Sequence, residues 1–108
     1  MVERDDPVFT ALADSTRRQL LLTLAENDPK TATQLAQEFP ITRQGIAKHL
    51  SLLAEAGLVR AQPVGREKRY AFRPEPLHSV SAWIEAIGVK WDERLQRLKD
   101  LVEDDIQA

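Results

Sequence analysis

The sequence predicts a mainly α-helical fold with one small β-hairpin, in the order α-α-α-α-β-β-α. Two short helical patterns with polar capping residues follow each other between Thr31 and Gly57. Alternating segments separated by glycine and basic residues then extend to Phe72, as in a hairpin. Apolar residues at helical spacing fill the rest of the chain. Two adjoining helices followed by a hairpin are the pattern of a winged helix-turn-helix, so we predict that fold.

Length and composition limit the classes of protein that this chain can belong to. With 108 residues, it is expected to form a single domain over residues 1–108. It has no cysteine, which excludes disulfides and thiolate metal sites. The sequence lacks both an apolar run of about 18 residues and the apolar region of a signal peptide. We therefore expect a soluble cytoplasmic protein.

Two helices are predicted before the helix-turn-helix. Pro7 suits the first turn of a short helix that Asp5 or Asp6 would cap. Asp14 would cap a second helix that ends near Asn27. The apolar residues expected to face inward are Phe9, Leu12 and Ala13 in the first helix and Leu20, Leu21 and Leu24 in the second.

Arg17 and Arg18 follow the Asp14 cap in the second helix. They could contact DNA phosphates, but a surface salt bridge to Asp14 explains at least one of them equally well. The sequence leaves this choice open.

The third helix has a clear start and a clear end in the sequence. Thr31 and Gln34 have the spacing of a capping box at its start. Leu35 and Phe39 would lie on its inner side, and Pro40 prevents its continuation. The turn to the next helix is therefore expected to be short and fixed.

The fourth helix is predicted to begin after Thr42, which would cap it, and to end at Gly57 in a left-handed conformation. Ile41 can pack on Ile46 across the cap as a hydrophobic staple. Gly45 in the first turn either lets the helix approach DNA closely or is a tolerated defect that costs about 1 kcal/mol. The residues expected to face inward are Ile46, Leu50 and Leu53.

Two short strands are predicted after the fourth helix, Leu58–Val64 and Tyr70–Arg73. The loop between them, Gly65–Lys68, would form the tip of the wing. Strand alternation places Lys68 on one side of this hairpin and Arg69 on the other.

The C-terminal part of the chain, about residues 75–106, is predicted to be one long helix that could break near Gly88. Its apolar stripe and two tryptophans, with one face of the first helix, offer more apolar area than the small core could cover. A second copy of the chain would cover this area and form a symmetric dimer through the terminal helices. The alternative is a helix that folds back on its own domain. The residues expected at the dimer interface are Phe9, Leu12, Trp83, Ile84, Ile87, Trp91, Leu95 and Leu98.

Charge is distributed unevenly along the chain, although its net value is only −2. Between Thr42 and Arg73, seven Lys and Arg residues stand against two Glu, a net charge of +5 that leaves −7 for the rest. A basic middle between acidic ends suits a domain that meets phosphates with one face.

The polar residues left outside the core form two groups where a winged helix would touch DNA. Arg43 could pair with guanine and Gln44 with adenine in the major groove, while Lys48 suits a phosphate. His49 is equally compatible with a DNA contact and with a structural hydrogen bond. The basic hairpin residues would enter a minor groove or hold phosphates, or they are a solvated tip. The candidate DNA-binding residues are Thr42, Arg43, Gln44, Lys48 and His49 in the fourth helix and Arg66, Lys68 and Arg69 in the hairpin.

Four segments carry a family resemblance and keep its order and spacing: LADSTRRQLLLTLAE, TATQLAQEF, ITRQGIAKHLSLLAEAGLVR and GREKRYAF. They resemble the bacterial ArsR-type winged-helix regulators over nearly the whole chain. The tail from Trp91 to Leu98 is similar to the branch of that family with a W-x-x-R-L-x-x-L helix. The resemblance implies a homodimeric transcription regulator, in most members a repressor, whose ligand is double-stranded DNA.

Metal-sensing members of that family carry a cysteine pair at the start of the third helix or a histidine and carboxylate cluster in the C-terminal helix. This chain has Thr31, Ala32 and Thr33 at the first place, and the C-terminal helix holds His78 without a second histidine. We therefore expect no metal site and no cofactor, and the residues indicate no small-molecule pocket.

Together these features predict a sequence-specific, double-stranded DNA-binding transcriptional regulator, a homodimeric repressor that occupies a palindromic operator. The alternative is a protein-interaction module whose aromatic C-terminal helix binds another protein. An enzyme is not expected, because the sequence shows no nucleophile with a neighbouring base, no carboxylate pair and no glycine-rich phosphate loop.

Overall fold

The structure, a computed structural model, describes residues 6–107 of the chain and side-chain exposure over residues 7–104. Asp5, one of the two predicted caps of the first helix, lies outside the described residues. The helices are α1 (Asp6–Leu12), α2 (Ser15–Glu26), α3 (Ala32–Glu38), α4 (Arg43–Glu55) and α5 (Glu75–Gln107). The strands are β1 (Lys30–Thr31), β2 (Val59–Val64) and β3 (Glu67–Phe72). The predicted winged helix-turn-helix is confirmed, and the chain divides into two compact units between Leu77 and His78.

The wing is part of a three-stranded antiparallel sheet with the order β1-β3-β2. β1 was absent from the sequence prediction because it is only two residues long and contains no apolar residue. It pairs Lys30 with Tyr70 and Thr31 with Arg69. The start of α3 is therefore attached to the wing strand through the backbone.

The hairpin loop is shorter than the sequence predicts. Val64 pairs with Glu67, so the loop contains only Gly65 and Arg66, and β3 begins three residues before the predicted Tyr70. Gly65 has a φ of +63°, and a positive φ at the first loop position only is the pattern of a type II′ turn. The prediction missed these residues because a charged run of Glu, Lys and Arg has no strand pattern.

The core of the N-terminal unit is formed by the predicted inner faces of α2 and α4 and by Leu35 of α3, whereas Phe39, also predicted to lie on the inner side, is half-buried at the end of α3. The fully buried large side chains there are Leu20, Leu35, Ile46, Leu50, Leu53 and Leu58. Leu21 and Leu24 are buried as well, so the predicted inner residues of α2 and α4 are all confirmed.

The predicted inner stripe of α1 is wrong. Val8 and Ala11 are buried, at 3% and 1% exposure, whereas Phe9 and Leu12 are half-buried and Ala13 is exposed. Both sets have helical spacing, and the small Ala11 side chain lets α1 lie close to its neighbours. Phe9 and Leu12 thus keep part of their apolar surface outside the core.

The predicted caps of the next three helices are confirmed. The Asp14 carboxylate accepts the backbone N–H of Arg17 at 3.0 Å. Thr31 and Gln34 form the reciprocal capping box, with distances of 3.0 and 2.9 Å. The Thr42 hydroxyl accepts the N–H of Gly45 at 3.1 Å. Each cap satisfies backbone N–H groups that would otherwise lack a partner.

Two glycines fix the ends of α4. Gly57 has a φ of +75°, and the N–H of Leu58 reaches the carbonyl of Leu53 at 2.9 Å, which is a Schellman ending. At the other end, a Cβ on Gly45 would lie 2.7 Å from Cγ2 of Ile41. Gly45 therefore makes room for the Ile41 side chain, an explanation that the sequence did not provide.

α5 is a single helix of 33 residues that continues through Gly88, so the break allowed by the sequence does not occur. At about 1.5 Å per residue it is roughly 50 Å long. Apart from Val80, which is buried, the predicted apolar stripe of α5 is exposed: Trp91 and Leu98 are each 59% exposed. The larger set of exposed apolar residues in α5 comprises Trp83, Ile84, Ile87, Val89, Trp91, Leu95, Leu98, Leu101 and Val102.

Candidate nucleic-acid interface

The first turns of α4 present polar side chains to solvent. Arg43, Gln44 and Lys48 are exposed, and Thr42 is exposed at the cap. The opposite side of the same helix is held by buried core residues. The Thr42 cap and the short turn before it, in which the N–H of Ile41 reaches the carbonyl of Phe39 at 2.8 Å, fix where this helix begins.

An open cleft of about 610 Å³ lies between the start of α3, the first turns of α4 and the wing. Helix α4 contributes Arg43 and Gln44, and the wing contributes Arg66 and Lys68. Two members of each predicted group therefore face one space, whereas Thr42 and Lys48 are exposed but do not line it. The complete lining is Thr31, Ala32, Thr33, Gln34, Arg43, Gln44, Ala47, Arg66, Glu67, Lys68 and Tyr70.

The cleft has an excess of positive charge. Within the part of the chain that the structure describes, no acidic group lies within 4 Å of the charged ends of Arg43, Arg66 or Lys68. The single acidic residue in the lining, Glu67, has its carboxylate bound by Arg69 at 3.2 Å. Three cations thus remain available for phosphate oxygens, whereas the negative charge in the cleft is already paired.

The structure separates Arg69 from the other wing cations. Lys68 and Tyr70 line the cleft and Arg69 does not, as strand alternation predicts. Arg69 is half-buried, lies opposite Gln62 in the sheet and pairs with Glu67. Its guanidinium is therefore already paired and lies outside the lining of the cleft, unlike the cationic groups of Arg66 and Lys68.

His49 is also outside the cleft lining. It is half-buried, and its Nδ1 lies 3.3 Å from Nη1 of Arg17 in α2. Of the two possibilities that the sequence left open, this contact matches the structural hydrogen bond.

Arg17 and Arg18 bind the end of α1, which neither of the expected alternatives included. Arg17 donates from Nε to the carbonyl of Ala11 at 2.8 Å and from Nη2 to that of Thr10 at 3.0 Å. Arg18 donates from Nη1 to the carbonyl of Leu12 at 2.6 Å. These carbonyls belong to the last turn of α1, where intrahelical donors are missing and cations are favoured, although that of Thr10 also accepts the N–H of Ala13 at 3.3 Å.

The salt bridge to Asp14, one of the two alternatives, is not found among the described residues, and the Asp14 carboxylate accepts the backbone N–H of Arg17. The hydrogen bond from the Arg17 N–H lowers the pKa of Asp14 below its ordinary value, and the nearby Arg17 guanidinium lowers it further. Asp14 is therefore a charged cap at neutral pH.

Sequence reasoning missed two other features of the cleft. The sequence assigns Tyr70 only to a strand, and it indicates a capping box and a possible place for metal ligands at the start of α3, but no part of a shared surface. Both line the cleft because β1 pairs with β3, and nothing in the two residues of β1 indicates that pairing.

Neither a metal site nor a membrane span is found among the described residues. They contain no group of three or more His, Cys, Asp or Glu side chains placed to hold a metal ion. His78 is exposed at the start of its unit. The described helices include none that is both long and apolar enough to cross a membrane.

Comparison with known proteins gives a consistent result. A family model described as a helix-turn-helix domain matches residues 12–62, which include α2, α3 and α4. An ArsR-like transcriptional regulator from Rhodococcus sp. RHA1 has a similar structure, with a TM-score of 0.81 and 40% identity over 94% of this chain and 92% of that one. The chain belongs to the ArsR family of transcriptional regulators.

Two Bacillus subtilis proteins are also similar in sequence. The HTH-type transcriptional regulator YuzN, whose own function is uncharacterized, is 42% identical over 87 residues, which are 74% of this chain and 95% of that protein. The transcriptional repressor SdpR is 31% identical over 77 residues, 71% of this chain and 84% of that protein. Membership of the ArsR family makes this chain a DNA-binding regulator and not an enzyme, and its lack of cysteine agrees with the branch without metal-sensing cysteines.

Proposed function

We propose that this ArsR-family regulator is a homodimeric repressor that binds a roughly palindromic operator and blocks transcription by occupying it. The observation that carries the proposal is the cleft between α4 and the wing, where Arg43, Arg66 and Lys68 have no acidic partner among the described residues. Such a surface suits the phosphates and base edges of a duplex. A repressor of this kind would act in the cytoplasm.

The start of α4 is the part of the surface proposed to read base sequence. Arg43 and Gln44 lie in its first turn, and residues at that end of a recognition helix reach base edges in the major groove. Arg43 suits guanine and Gln44 suits adenine, each pair being worth about 1–3 kcal/mol of discrimination. Thr42 and Lys48 would contact phosphates on either side.

The wing is proposed to hold the DNA backbone beside the major-groove contact. Arg66 occupies the two-residue loop, and Lys68 faces the cleft from β3. Both can reach phosphates or the edge of a minor groove. Arg69 would act mainly by binding the Glu67 carboxylate, so that less negative charge faces the DNA.

The exposed stripe of α5 is proposed to be a dimer interface with a second copy of the chain. Its members follow one another at the helical period, so they form a narrow apolar strip along one side of the helix. Contiguous apolar surface of this length is unusual on a monomer. The residues that we assign to the interface are Phe9, Leu12, Trp83, Ile84, Ile87, Trp91, Leu95 and Leu98.

A twofold dimer also explains how one small domain could select an operator. Each copy would place one α4 in the major groove, with the two grooves about 34 Å apart along the duplex. Because the dimer is symmetric, the two half-sites would be inverted copies of each other. SdpR, which is similar over most of its length, is described as a repressor, and this supports the proposed direction of regulation.

Duplex binding is tested by fluorescence anisotropy with the DNA upstream of the protein's own gene and with a scrambled duplex, each at two salt concentrations. We expect preference for the native duplex and an affinity that falls steeply with salt, because bound phosphates release counterions. Equal, salt-dependent binding to both duplexes would refute regulation of its own gene. Absence of binding at either salt concentration would favour a protein-interaction module.

The dimer is tested by Trp91→Asp, with Val89→Asp as the matched control. Both variants add one negative charge to exposed apolar positions of α5, but Val89 lies on the opposite side of the helix from the stripe. Trp91→Asp should sediment as a monomer and bind the native duplex about a hundredfold more weakly, because the two half-sites are no longer linked. Val89→Asp should remain dimeric. A Trp91→Asp protein that stays dimeric would contradict this interface.

A further inference from the structure

One side chain, that of Arg17, connects three helices of the N-terminal unit. From α2 it donates to the carbonyls of Thr10 and Ala11 at the end of α1, at 3.0 and 2.8 Å. Its remaining terminal nitrogen, Nη1, lies 3.3 Å from Nδ1 of His49 in α4. The planar guanidinium therefore joins the end of α1 to the helix proposed to read DNA.

Arg18 provides a direct contrast to this arrangement. It is the next residue in α2 and also donates to α1, at the carbonyl of Leu12. Among the described residues it has no contact with α4. The connection to the recognition helix thus belongs to Arg17, whereas the support of α1 is shared by both arginines.

The contact between Arg17 and His49 depends on the protonation of the histidine. An arginine is always protonated and only donates hydrogen bonds. His49 must therefore accept at Nδ1, which requires a neutral ring with its proton on Nε2. Protonation of Nδ1 would bring two cationic donors within 3.3 Å of each other. The charged groups with a recorded interaction with His49 in the described structure are Arg17 and, through its charge, Asp14 at the start of α2.

We propose that Arg17 and His49 form a positioning pair that fixes α4 against the α1–α2 corner, so that duplex affinity falls when His49 becomes protonated. This inference rests on the proposed DNA-binding function and adds a form of regulation to the same site. It predicts that protonation of His49 changes duplex affinity in the direction opposite to that expected if His49 contacted DNA directly. A histidine bound to phosphate would strengthen the complex on protonation, whereas a positioning histidine weakens it.

The test measures the affinity of the full chain for its duplex by anisotropy at about pH 8 and about pH 5.5, the range over which histidines change charge. At constant salt we expect the wild type to bind about tenfold more weakly at the lower pH, or about 1.4 kcal/mol, because a helix α4 that is no longer held in place must be ordered when the duplex binds. His49→Gln offers an amide oxygen to Arg17 at either pH. It should bind like the wild type at the higher pH and show no weakening at the lower one.

Three further variants serve as comparisons. His78→Gln removes the second of the two histidines and should keep the wild-type pH dependence. Arg17→Ala should weaken binding at the higher pH and abolish the pH dependence. Arg18→Ala removes a neighbouring contact with α1 and should preserve that dependence. Circular dichroism checks that each variant is folded. If Arg17→Ala does not fold, His49→Gln still tests the proposal.

The outcomes separate this inference from the function on which it rests. A wild type that binds no duplex at either pH contradicts both. A wild type that binds at the higher pH but is unchanged or stronger at the lower pH overturns the positioning pair alone. The same holds if His49→Gln weakens at low pH as much as the wild type does.

Discussion

The α1–α2 corner and the α4–wing cleft both contain arginines, but these arginines have different surroundings. At the corner, Arg17 and Arg18 donate to backbone carbonyls at the end of α1. At the cleft, Arg43 and Arg66 are exposed and have no acidic partner within 4 Å in the described structure. The two groups differ in whether their guanidinium N–H groups already have hydrogen-bond partners within the described structure. The role of an arginine therefore cannot be predicted from its residue type and its position in a helix alone.

This comparison predicts that arginines of the corner support stability and that those of the cleft support binding. The largest expected effect on stability is that of Arg17→Ala. It removes two hydrogen bonds to carbonyls and the contact with His49, which together should cost about 2–3 kcal/mol of unfolding free energy. Urea denaturation measures this cost. Arg18→Ala, which loses one exposed bond, should cost less than about 1 kcal/mol, and equal costs would contradict the distinction.

Arg43→Ala tests the other half of the comparison. Its guanidinium has no hydrogen-bond or ion-pair partner within the described part of the chain, so the free energy of unfolding should stay within about 0.5 kcal/mol of the wild type. Preference for one base pair of the operator should fall by about 1–3 kcal/mol. Competition binding with single-base-pair variants of the duplex measures this loss. A uniform weakening over all duplexes would show that Arg43 contacts phosphate instead.

Lys68→Ala should have a smaller effect that does not depend on sequence. Loss of one phosphate contact lowers the slope of log affinity against log salt concentration by about 0.9. Arg60→Ala is the matched control, because Arg60 is an exposed cation of the same sheet that does not line the cleft. Its salt slope should equal that of the wild type, and a drop as large as that of Lys68→Ala would place the DNA elsewhere.

Asp14→Asn should have the smallest effect and should appear only in acid. The pKa of Asp14 is lowered in the folded protein, chiefly by the hydrogen bond from the Arg17 N–H. The charged cap therefore stabilises the fold at pH values above 3.8, the ordinary pKa of this carboxyl group. That contribution is lost as the pH falls below this value. Asparagine caps helices without titrating. The difference in melting temperature between the two proteins should therefore shrink from pH 7 to about pH 3, and a constant difference would contradict this role.

Local patterns in the sequence were sufficient for the caps and for most of the core. The Thr31–Gln34 capping box, the Asp14 and Thr42 caps and the left-handed Gly57 depend on residues within one or two turns of each other. The burial of the inner residues of α2 and α4 follows from the helical period in the same way.

The features that the sequence did not predict depend on residues far apart in the chain. β1 forms only because Lys30 and Thr31 meet a strand about forty residues later. Arg17 and His49 are 32 positions apart, and no pattern at either place indicates their contact. In α1, Val8 with Ala11 and Phe9 with Leu12 have the same helical spacing, so the sequence does not show which pair is buried. The packing of α1 against α2 and α4 buries Val8 and Ala11.

The central claim is that DNA binds at the start of α4 and at the wing, where Arg43, Arg66 and Lys68 have no acidic partner among the described residues. The most direct test is to follow backbone amide signals of the ¹⁵N-labelled protein by NMR while its duplex is added. The account predicts that the signals of Arg43, Gln44, Lys48 and the Gly65–Lys68 segment shift most, with little change over residues 20–26 of α2. Shifts concentrated in α2 or α5, with α4 and the wing unchanged, would contradict it.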